Sequence, residues 1–179
     1  MVHYSYGWDS PQKPEDVQLV TGIEDVISWA NSRNIPVIEI SNQPGVAKGK
    51  MTQETADAIE SRVHELLKEK NAKVDAVYIC PHHPDAKIPS LRKNCECRKP
   101  KPGLLFKVSK DLNIYLSDTI FLGDKATDIE TGQKAGTKTI LFMHSDDEPE
   151  KVAQALSSEA DHRFDRLIDV LPILEEVFK

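Results

Sequence analysis

The chain has 179 residues, of which 39% are hydrophobic and 29% are charged, the balance of an ordinary globular protein with a buried core. Its apolar runs are too short to span a bilayer and its N-terminus lacks a signal-peptide pattern, so we expect a cytoplasmic location and no membrane partner. The net charge of −6 argues against nucleic acid as a partner, while a small anionic ligand is still compatible with local positive charge.

Helix and strand patterns alternate along the whole chain. In order, the predicted elements are a helix at 22–33, a strand at 35–40, a helix at 52–70, strand 74–79, helix 102–112, strand 119–122, helix 127–135, strand 138–142, helix 149–156, short strand 162–164 and helix 166–178. Thr52 is the predicted N-cap of the second helix, and Gly136 closes the fourth. The alternation predicts an α/β, Rossmann-like parallel sheet with helices on both faces. We expect a single domain over 1–179, with a lead-in at 1–21.

All three cysteines lie with a histidine in one loop, residues 80–97. Cys80-x-His82 follows a predicted strand, and Cys95-x-Cys97 comes after twelve intervening residues. An odd, clustered set of cysteines argues against a disulfide framework and favours a metal site or free thiols. Thiolate and imidazole ligands exclude Mg²⁺ and Ca²⁺, and two such pairs can close a tetrahedron around Zn²⁺. The pattern therefore predicts a structural zinc loop, with three ordinary thiols as the alternative.

Polar segments follow the predicted strand ends at 41–50 ("SNQPGVAKGK"), 98–103 ("RKPKPG") and 123–128 ("GDKATD"). Ligands of parallel sheets bind at the carboxyl ends of strands. The first segment offers hydroxyl and amide donors for an oxyanion, and the second offers two adjacent cations. Asp124 and Asp128 in the third are hard oxygen ligands suited to Mg²⁺. Each segment alone is more typical of a turn or solvated loop, but together they predict a Mg²⁺-assisted phosphoryl-transfer site.

These segments and the "CPHHP…CECRKPKPG" loop resemble the haloacid dehalogenase (HAD) superfamily of phosphatases, over about residues 22–136. The most similar branch is the D-glycero-D-manno-heptose 1,7-bisphosphate 7-phosphatases, and the histidinol-phosphatase domain is its sister. Both branches carry the zinc loop, whereas "NQPGVAKGK" and the loop length favour the heptose branch. The resemblance implies a sugar-phosphate phosphatase that is a monomer or homodimer. Its implied partner is a small phosphorylated sugar, and its implied cofactors are Mg²⁺ and structural Zn²⁺.

The resemblance also implies roles for individual residues. Phosphate or substrate contacts are implied for Ser41, Asn42, Gln43, Arg98, Lys99 and Lys125. Among these, Ser41 matches the phosphate-binding hydroxyl and Lys99 the cation that neutralises the transferring phosphoryl group. The implied metal ligands are Asp124 and, less directly, Asp128 for Mg²⁺, and Cys80, His82, Cys95 and Cys97 for zinc. We expect His64 and His83 to be solvent-facing side chains.

One part of the family's pattern is absent from the printed sequence. The family's chemistry starts with D-x-D-G-T at the end of a central strand, where the first Asp is the nucleophile and the second is the general acid/base. No such motif occurs here. Neither Asp9 nor Asp16 follows an apolar strand, so we do not expect a relocated nucleophile. The chain as given is therefore expected to be inactive or weakly active.

In the family the missing strand lies in mid-sheet, between the strands that we predict at 35–40 and 119–122. Three explanations stay open: the sequence starts at an internal or mis-assigned Met, the chain is a degenerate relative whose sheet closes the gap, or another chain or segment fills the slot. The functional alternatives are a non-catalytic phosphate-ligand-binding or scaffold protein on a phosphatase fold, and a histidinol-phosphatase.

Overall fold

The computed structural model describes residues 2–4, 11–143 and 149–179, with side chains at 11–143 and 153–179. The chain divides into two compact units, Met1–Cys95 and Glu96–Lys179. No helix in these described segments is both long and apolar enough to cross a membrane. The sequence-based expectation for Asp9 falls outside the described residues, and the single-domain expectation stays a prediction.

The first unit contains a parallel pair of strands and two helices. Its elements in chain order are β1 (Val2–Tyr4), a 3-10 turn (Pro14–Asp16), β2 (Val17–Leu19), α1 (Ile23–Ser32), β3 (Ile38–Asn42), α2 (Gln53–Glu69), β4 (Ala76–Cys80) and a 3-10 turn (Pro89–Leu91). Strands β3 and β4 pair in parallel, with Ile38 opposite Ala76 and Asn42 opposite Cys80. Strands β1 and β2 form an antiparallel pair that the sequence patterns did not predict.

Helix α2 forms where its sequence pattern predicts it. The Thr52 side chain accepts a hydrogen bond from the backbone N–H of Thr55 at 3.2 Å, which confirms the predicted N-cap. Ile59, Val63 and Leu67 recur every four residues and are buried, so the helix packs through one apolar stripe. Its other side carries the polar residues.

Strand β3 begins and ends later than the predicted strand at 35–40. Pro36 has no N–H to donate to a ladder. The next N–H, that of Val37, donates to the Asp75 carboxylate at 2.9 Å rather than to a strand. Pairing therefore starts at Ile38, and the polar residues Ser41 and Asn42 lie inside the strand.

The second unit has a three-stranded parallel sheet. Its elements are α3 (Gly103–Leu112), a 3-10 turn (Leu116–Asp118), β5 (Ile120–Gly123), α4 (Ala126–Ala135), β6 (Lys138–Phe142), α5 (Pro149–Leu156), β7 (His162–Phe164), a 3-10 turn (Leu167–Val170) and α6 (Leu171–Val177). The strand order is β5-β6-β7, and both pairings are parallel. The predicted α/β fold with parallel strands and intervening helices is confirmed.

The core of this unit is built around the central strand β6. Ile140 and Leu141 of β6 are fully buried, as is Ile129 on α4. A central strand covered on both faces carries a continuous apolar run, as "TILF" does here. Gly136 ends α4 with a φ of 78°, the left-handed conformation predicted for a C-cap glycine.

The predicted C-terminal helix at 166–178 is wrong in one respect. Its first turn is a 3-10 turn, Leu167–Val170, and the α-helix starts only at Leu171. Pro172 explains the break, because a proline ring clashes with the carbonyl four residues earlier in a continuous α-helix. Proline is tolerated in the first turn of α6, where this clash does not arise.

Candidate functional site

Strand β4 delivers the first predicted zinc ligand. Cys80 is its last residue and is fully buried. The Cys80 Sγ lies 3.7 Å from His82 Nδ1 and 3.5 Å from Cys95 Sγ. The sulfur atoms of a disulfide are about 2.05 Å apart, so these are two thiols in contact rather than a bond.

The ligand atoms of all four predicted zinc residues, Cys80, His82, Cys95 and Cys97, lie within 4.8 Å of one another. A tetrahedral Zn²⁺ with ordinary Zn–S and Zn–N bonds places its ligand atoms about 3.6–3.8 Å apart. The separations from Cys80 to His82 and Cys95 fit that tetrahedron closely. The donor set and its spacing therefore suit zinc, and would close the site with protein ligands alone.

The pKa of the His82 imidazole lies below its ordinary value. Burial is the main cause that lowers its pKa from the ordinary value, and the positive charge of Lys93 lowers it further. A neutral imidazole at neutral pH has a lone pair available for a cation.

His83 does not face solvent as the sequence suggested. Its side chain is only 14% exposed, and its Nδ1 accepts a hydrogen bond from the backbone N–H of Asp85 at 3.1 Å. Its own backbone N–H donates to the carbonyl of Leu91. His83 therefore holds two parts of the loop together through hydrogen bonds. The hydrophilic residues around it in the sequence gave no sign of this contact.

The zinc loop is hydrogen-bonded to the polar segment that follows β3. The backbone N–H groups of Lys87 and Ile88 both donate to the carbonyl of Ala47, which is fully buried. The backbone N–H of Gln43 donates to the carbonyl of Cys80 at 2.9 Å. Three backbone hydrogen bonds therefore join the loop 80–97 to the segment 41–50.

Three predicted phosphate or substrate residues lie at the end of β3. Ser41 is opposite Ile79 in the ladder, and Asn42 is opposite Cys80. The Gln43 side-chain amide donates to Glu60 Oε2 at 3.2 Å. A structural partner for Gln43 was not foreseen, because Glu60 lies 17 residues away on α2.

In the second unit, Lys99 and Asp128 form a covered ion pair. The Lys99 Nζ is 2.6 Å from Asp128 Oδ1, and the two side chains are 14% and 4% exposed. The same ammonium lies 5.9 Å from the centre of the Phe121 ring on β5, within cation–π range. Two residues that the sequence placed in different segments are thus joined directly.

Asp128 also caps the start of α4. Its Oδ2 accepts hydrogen bonds from the backbone N–H groups of Asp124 and Lys125, at 3.2 and 3.1 Å. A Cβ on Gly123 would lie 2.2 Å from the Asp128 Cβ, so only glycine leaves room for this carboxylate. Asp128 is therefore engaged by Lys99 and by the turn itself.

Asp124 stands at the end of β5 with an exposed side chain. Although it touches solvent, the protein atoms around it remove enough hydration to raise its carboxyl pKa above the ordinary value. The positive charge of Lys125 opposes this shift, and the Asp128 carboxylate adds to it. An exposed carboxylate oxygen beside a second acid fits Mg²⁺, which would favour the ionised form.

Arg98 and Lys99 are held by a tight turn. The backbone N–H of Gly103 donates to the carbonyl of Glu96 at 3.1 Å, and the Lys101 ammonium pairs with the Glu96 carboxylate at 2.8 Å. A Cβ on Gly103 would meet that carbonyl oxygen at 2.3 Å. The supporting roles of Glu96 and Gly103 were missed, although a glycine directly after "RKPKP" was an available signal.

Known proteins are similar to this chain in sequence and in fold. The HAD-hydrolase-like family model matches residues 96–170. The D-glycero-beta-D-manno-heptose-1,7-bisphosphate 7-phosphatase of Yersinia pestis is 30% identical over 129 residues, covering 71% of this chain and 69% of that protein. The protein of the same name from Escherichia coli K12 is 25% identical over 165 residues, covering 92% and 83%. The crystal structure of D,D-heptose 1,7-bisphosphate phosphatase from B. bronchiseptica, complexed with magnesium and phosphate, superposes with a TM-score of 0.79 at 25% identity, covering 94% and 92%.

Proposed function

Because this chain belongs to the HAD-like phosphatases, in the family of the D-glycero-beta-D-manno-heptose-1,7-bisphosphate 7-phosphatases, we propose that it carries the binding site of a heptose 1,7-bisphosphate phosphatase. The observation that carries the proposal is the covered Lys99–Asp128 pair beside Asp124 at the end of β5. This arrangement fixes a cation next to a hard oxygen ligand, which is what recognition of a Mg²⁺-bound phosphate requires.

In this proposal the basic side chains bind the phosphate groups of the sugar. Lys99 neutralises the transferring phosphoryl group, while Arg98 and Lys125 contact phosphate oxygens. Ser41 donates its hydroxyl to a phosphate oxygen, and Asn42 contacts the substrate. The support for Lys99 is geometric, since its ammonium is oriented by Asp128 before any ligand arrives.

Asp124 is the proposed protein ligand of Mg²⁺, and Asp128 is the proposed positioning residue. Asp128 already accepts from two backbone N–H groups and pairs with Lys99, which leaves it less lone-pair capacity for a metal. When bound, Mg²⁺ supplies charge neutralisation on the phosphate oxygens.

The proposed structural zinc is held by Cys80, His82, Cys95 and Cys97. Its contribution is to the shape of the substrate segment, because the zinc loop donates two backbone hydrogen bonds to the carbonyl of Ala47. We propose that a zinc-free loop would release that segment and weaken ligand binding.

Residues 1–179 contain no D-x-D-G-T. The covalent step of the family's reaction forms on the first aspartate of that motif, and the groups of such a site act as a unit. We therefore propose that the 179-residue polypeptide binds the sugar bisphosphate with Mg²⁺ and releases phosphate no faster than background.

The test combines calorimetry with phosphate release, using heptose 1,7-bisphosphate, Mg²⁺ and the zinc-loaded protein. We expect saturable binding by the parent protein. The affinity should fall at least about tenfold in the double variant Lys99→Met/Asp128→Asn, which is chosen because it leaves no buried charge unpaired. Histidinol phosphate is the control ligand and should bind more weakly. Absence of binding would refute the proposed function, and turnover of roughly 1 s⁻¹ or more would refute the proposed inactivity.

A non-catalytic binding or scaffold role is the second candidate, and the missing motif is the observation that favours it. The same experiment separates the two. Tight binding of a phosphorylated ligand that is never hydrolysed, even when a peptide carrying the family's D-x-D-G-T strand is added, supports the scaffold role. Phosphate release that appears only with the added peptide supports the phosphatase.

A further inference from the structure

A third group of metal-ligating side chains lies in the first unit, apart from the zinc loop. Glu39 is on β3, and Glu60 and His64 are on α2. One ligand atom from each lies within 4.8 Å of the other two. Glu60 and His64 are four residues apart, so they share one face of the helix. All three are partly buried, which leaves the group accessible to an ion from solvent.

The separation of the His64 and Glu60 ligand atoms matches the distance between two ligands of one metal ion. His64 Nε2 is 3.2 Å from Glu60 Oε1. Nitrogen and oxygen ligands at ordinary zinc bond lengths lie about 3.3 Å apart in a tetrahedron. A cation could therefore enter between them with little movement of either side chain.

A hydrogen bond from Gln43 also orients the Glu60 carboxylate. Its second oxygen, Oε2, accepts the Gln43 amide at 3.2 Å, which leaves Oε1 directed towards His64. Such an outer hydrogen bond is the usual way in which a ligating carboxylate is held in place. The Glu60 side chain is only 19% exposed, so this orientation is maintained by its surroundings.

The charge of the group also favours a cation. Two ionised carboxylates and one imidazole carry a net negative charge whether or not the imidazole is protonated. An imidazole ligand selects borderline transition metals over Mg²⁺ and Ca²⁺, which prefer oxygen alone.

We propose that Glu39, Glu60 and His64 form a second metal site, for a divalent transition cation such as Zn²⁺, with Gln43 as its positioning residue. Three protein ligands leave a coordination position for water, so the ion is exchangeable, unlike one enclosed by the four residues of the zinc loop. The proposal does not rest on the proposed function, since none of its three ligands is a proposed phosphate or Mg²⁺ contact.

Cobalt is the probe that separates the two kinds of site. The protein, loaded with one equivalent of zinc and kept in excess Mg²⁺, is titrated with Co²⁺ and followed by visible absorption and calorimetry. We expect one further Co²⁺ per chain, with weak d–d bands and without the strong near-ultraviolet thiolate charge-transfer band. That spectrum indicates nitrogen and oxygen ligands. Uptake of no further Co²⁺, or a spectrum with the thiolate band, would overturn the proposal.

Variants of the ligands locate the bound ion. His64→Gln and Glu60→Gln should each weaken Co²⁺ binding at least about tenfold, and Gln43→Ala by roughly tenfold through the lost orientation. Glu69→Gln, on the same helix but paired with Arg62, is the matched control and should bind as the parent does. Glu39→Gln is a further ligand variant if either helix variant unfolds early in a thermal scan. Equal affinity in the ligand variants and the control would refute the assignment.

Discussion

The zinc loop and the turn after β5 organise their polar groups in opposite ways. In the loop, Cys80, His82 and Cys95 direct three soft or borderline ligand atoms at one another, an arrangement that a cation would complete. In the turn, Asp128 pairs with an ammonium through Oδ1 and accepts from two backbone N–H groups through Oδ2. In the proposed function the first region takes its shape from a bound metal, whereas the second is held by contacts within the protein.

The contrast separates the two metals that the family resemblance implies. A structural ion contributes folding free energy outright, because the unfolded chain has no preformed site. A catalytic ion needs a preformed site with open positions, which a turn held by its own protein contacts can provide. Removing a ligand should therefore cost stability in the zinc loop, while the turn should respond to changes in its own protein contacts.

The largest effect is expected from Cys95→Ser, which removes one thiolate of the zinc loop. Without a closed ligand set the variant should retain much less than one zinc per chain, and its free energy of unfolding should fall by more than about 4 kcal/mol. Zinc content by mass spectrometry and urea unfolding check this. Asn94→Ser, an exposed neighbour, is the control; a Cys95 variant with full zinc and unchanged stability would break the comparison.

The second effect concerns Lys99→Met in the β5 turn. The substitution leaves the Asp128 carboxylate, only 4% exposed, without its ammonium, and should cost about 3 kcal/mol in the free energy of unfolding. Adding Asp128→Asn should recover part of that loss, because the remaining buried group is then neutral. Urea unfolding of both variants measures the coupling.

The control for this experiment is Lys101→Met, whose partner Glu96 is 83% exposed. An exposed pair contributes little, so its loss should change stability by less than about 1 kcal/mol. Equal losses at Lys99 and Lys101 would show that the covered pair does not shape the turn.

A third test changes shape without changing charge. In Gly123→Ala the new Cβ would lie 2.2 Å from the Asp128 Cβ, so the carboxylate must move away from the turn. Overpacking of this kind should cost about 1–3 kcal/mol in unfolding free energy. Gly45→Ala is the control from the first unit, because its Cβ would meet only the flexible end of Met51, at 3.0 Å. A Gly123→Ala variant with unchanged unfolding free energy would contradict the close packing of Asp128 against Gly123.

The smallest effect is expected from Asp161, a carboxylate outside both proposed metal sites that serves as a reference. Asp161 accepts hydrogen bonds from the backbone N–H and the hydroxyl of Thr139, at 2.7 and 2.8 Å, and the backbone bond is the main cause of its lowered pKa. Because the folded pKa is depressed, its stabilisation is present above the unfolded pKa and is lost as pH falls through the folded pKa. Asp161→Ala should cost about 1 kcal/mol at neutral pH.

The pH dependence of the Asp161→Ala effect shows whether the ionised carboxylate is the stabilising group. The difference in melting temperature from the parent should shrink as the carboxyl of the parent becomes protonated in acid. Asp165→Ala, an exposed acid nearby, should show no such trend. A difference that stays constant across that range would show that the stabilisation comes from packing rather than from the charged acceptor.

The sequence by itself determined the features that depend on neighbours along the chain. The N-cap Thr52 and the C-cap Gly136 act within one helical turn, so their residue types were sufficient to predict them. The parallel α/β class followed from alternating periodicities, each of which reports the buried face of one element. The clustering of Cys80, His82, Cys95 and Cys97 was predictable because cysteines are rare here and all lie close together in sequence.

Tertiary structure alone decided which distant residues meet. The pairing of Lys99 with Asp128, and the meeting of Glu39 with Glu60 and His64, join residues on different elements. The start of β3 depended in the same way on Asp75, which takes the Val37 N–H out of the ladder. Periodicity reports which face of an element is buried, but contacts between elements depend on register and packing, which a single sequence does not display.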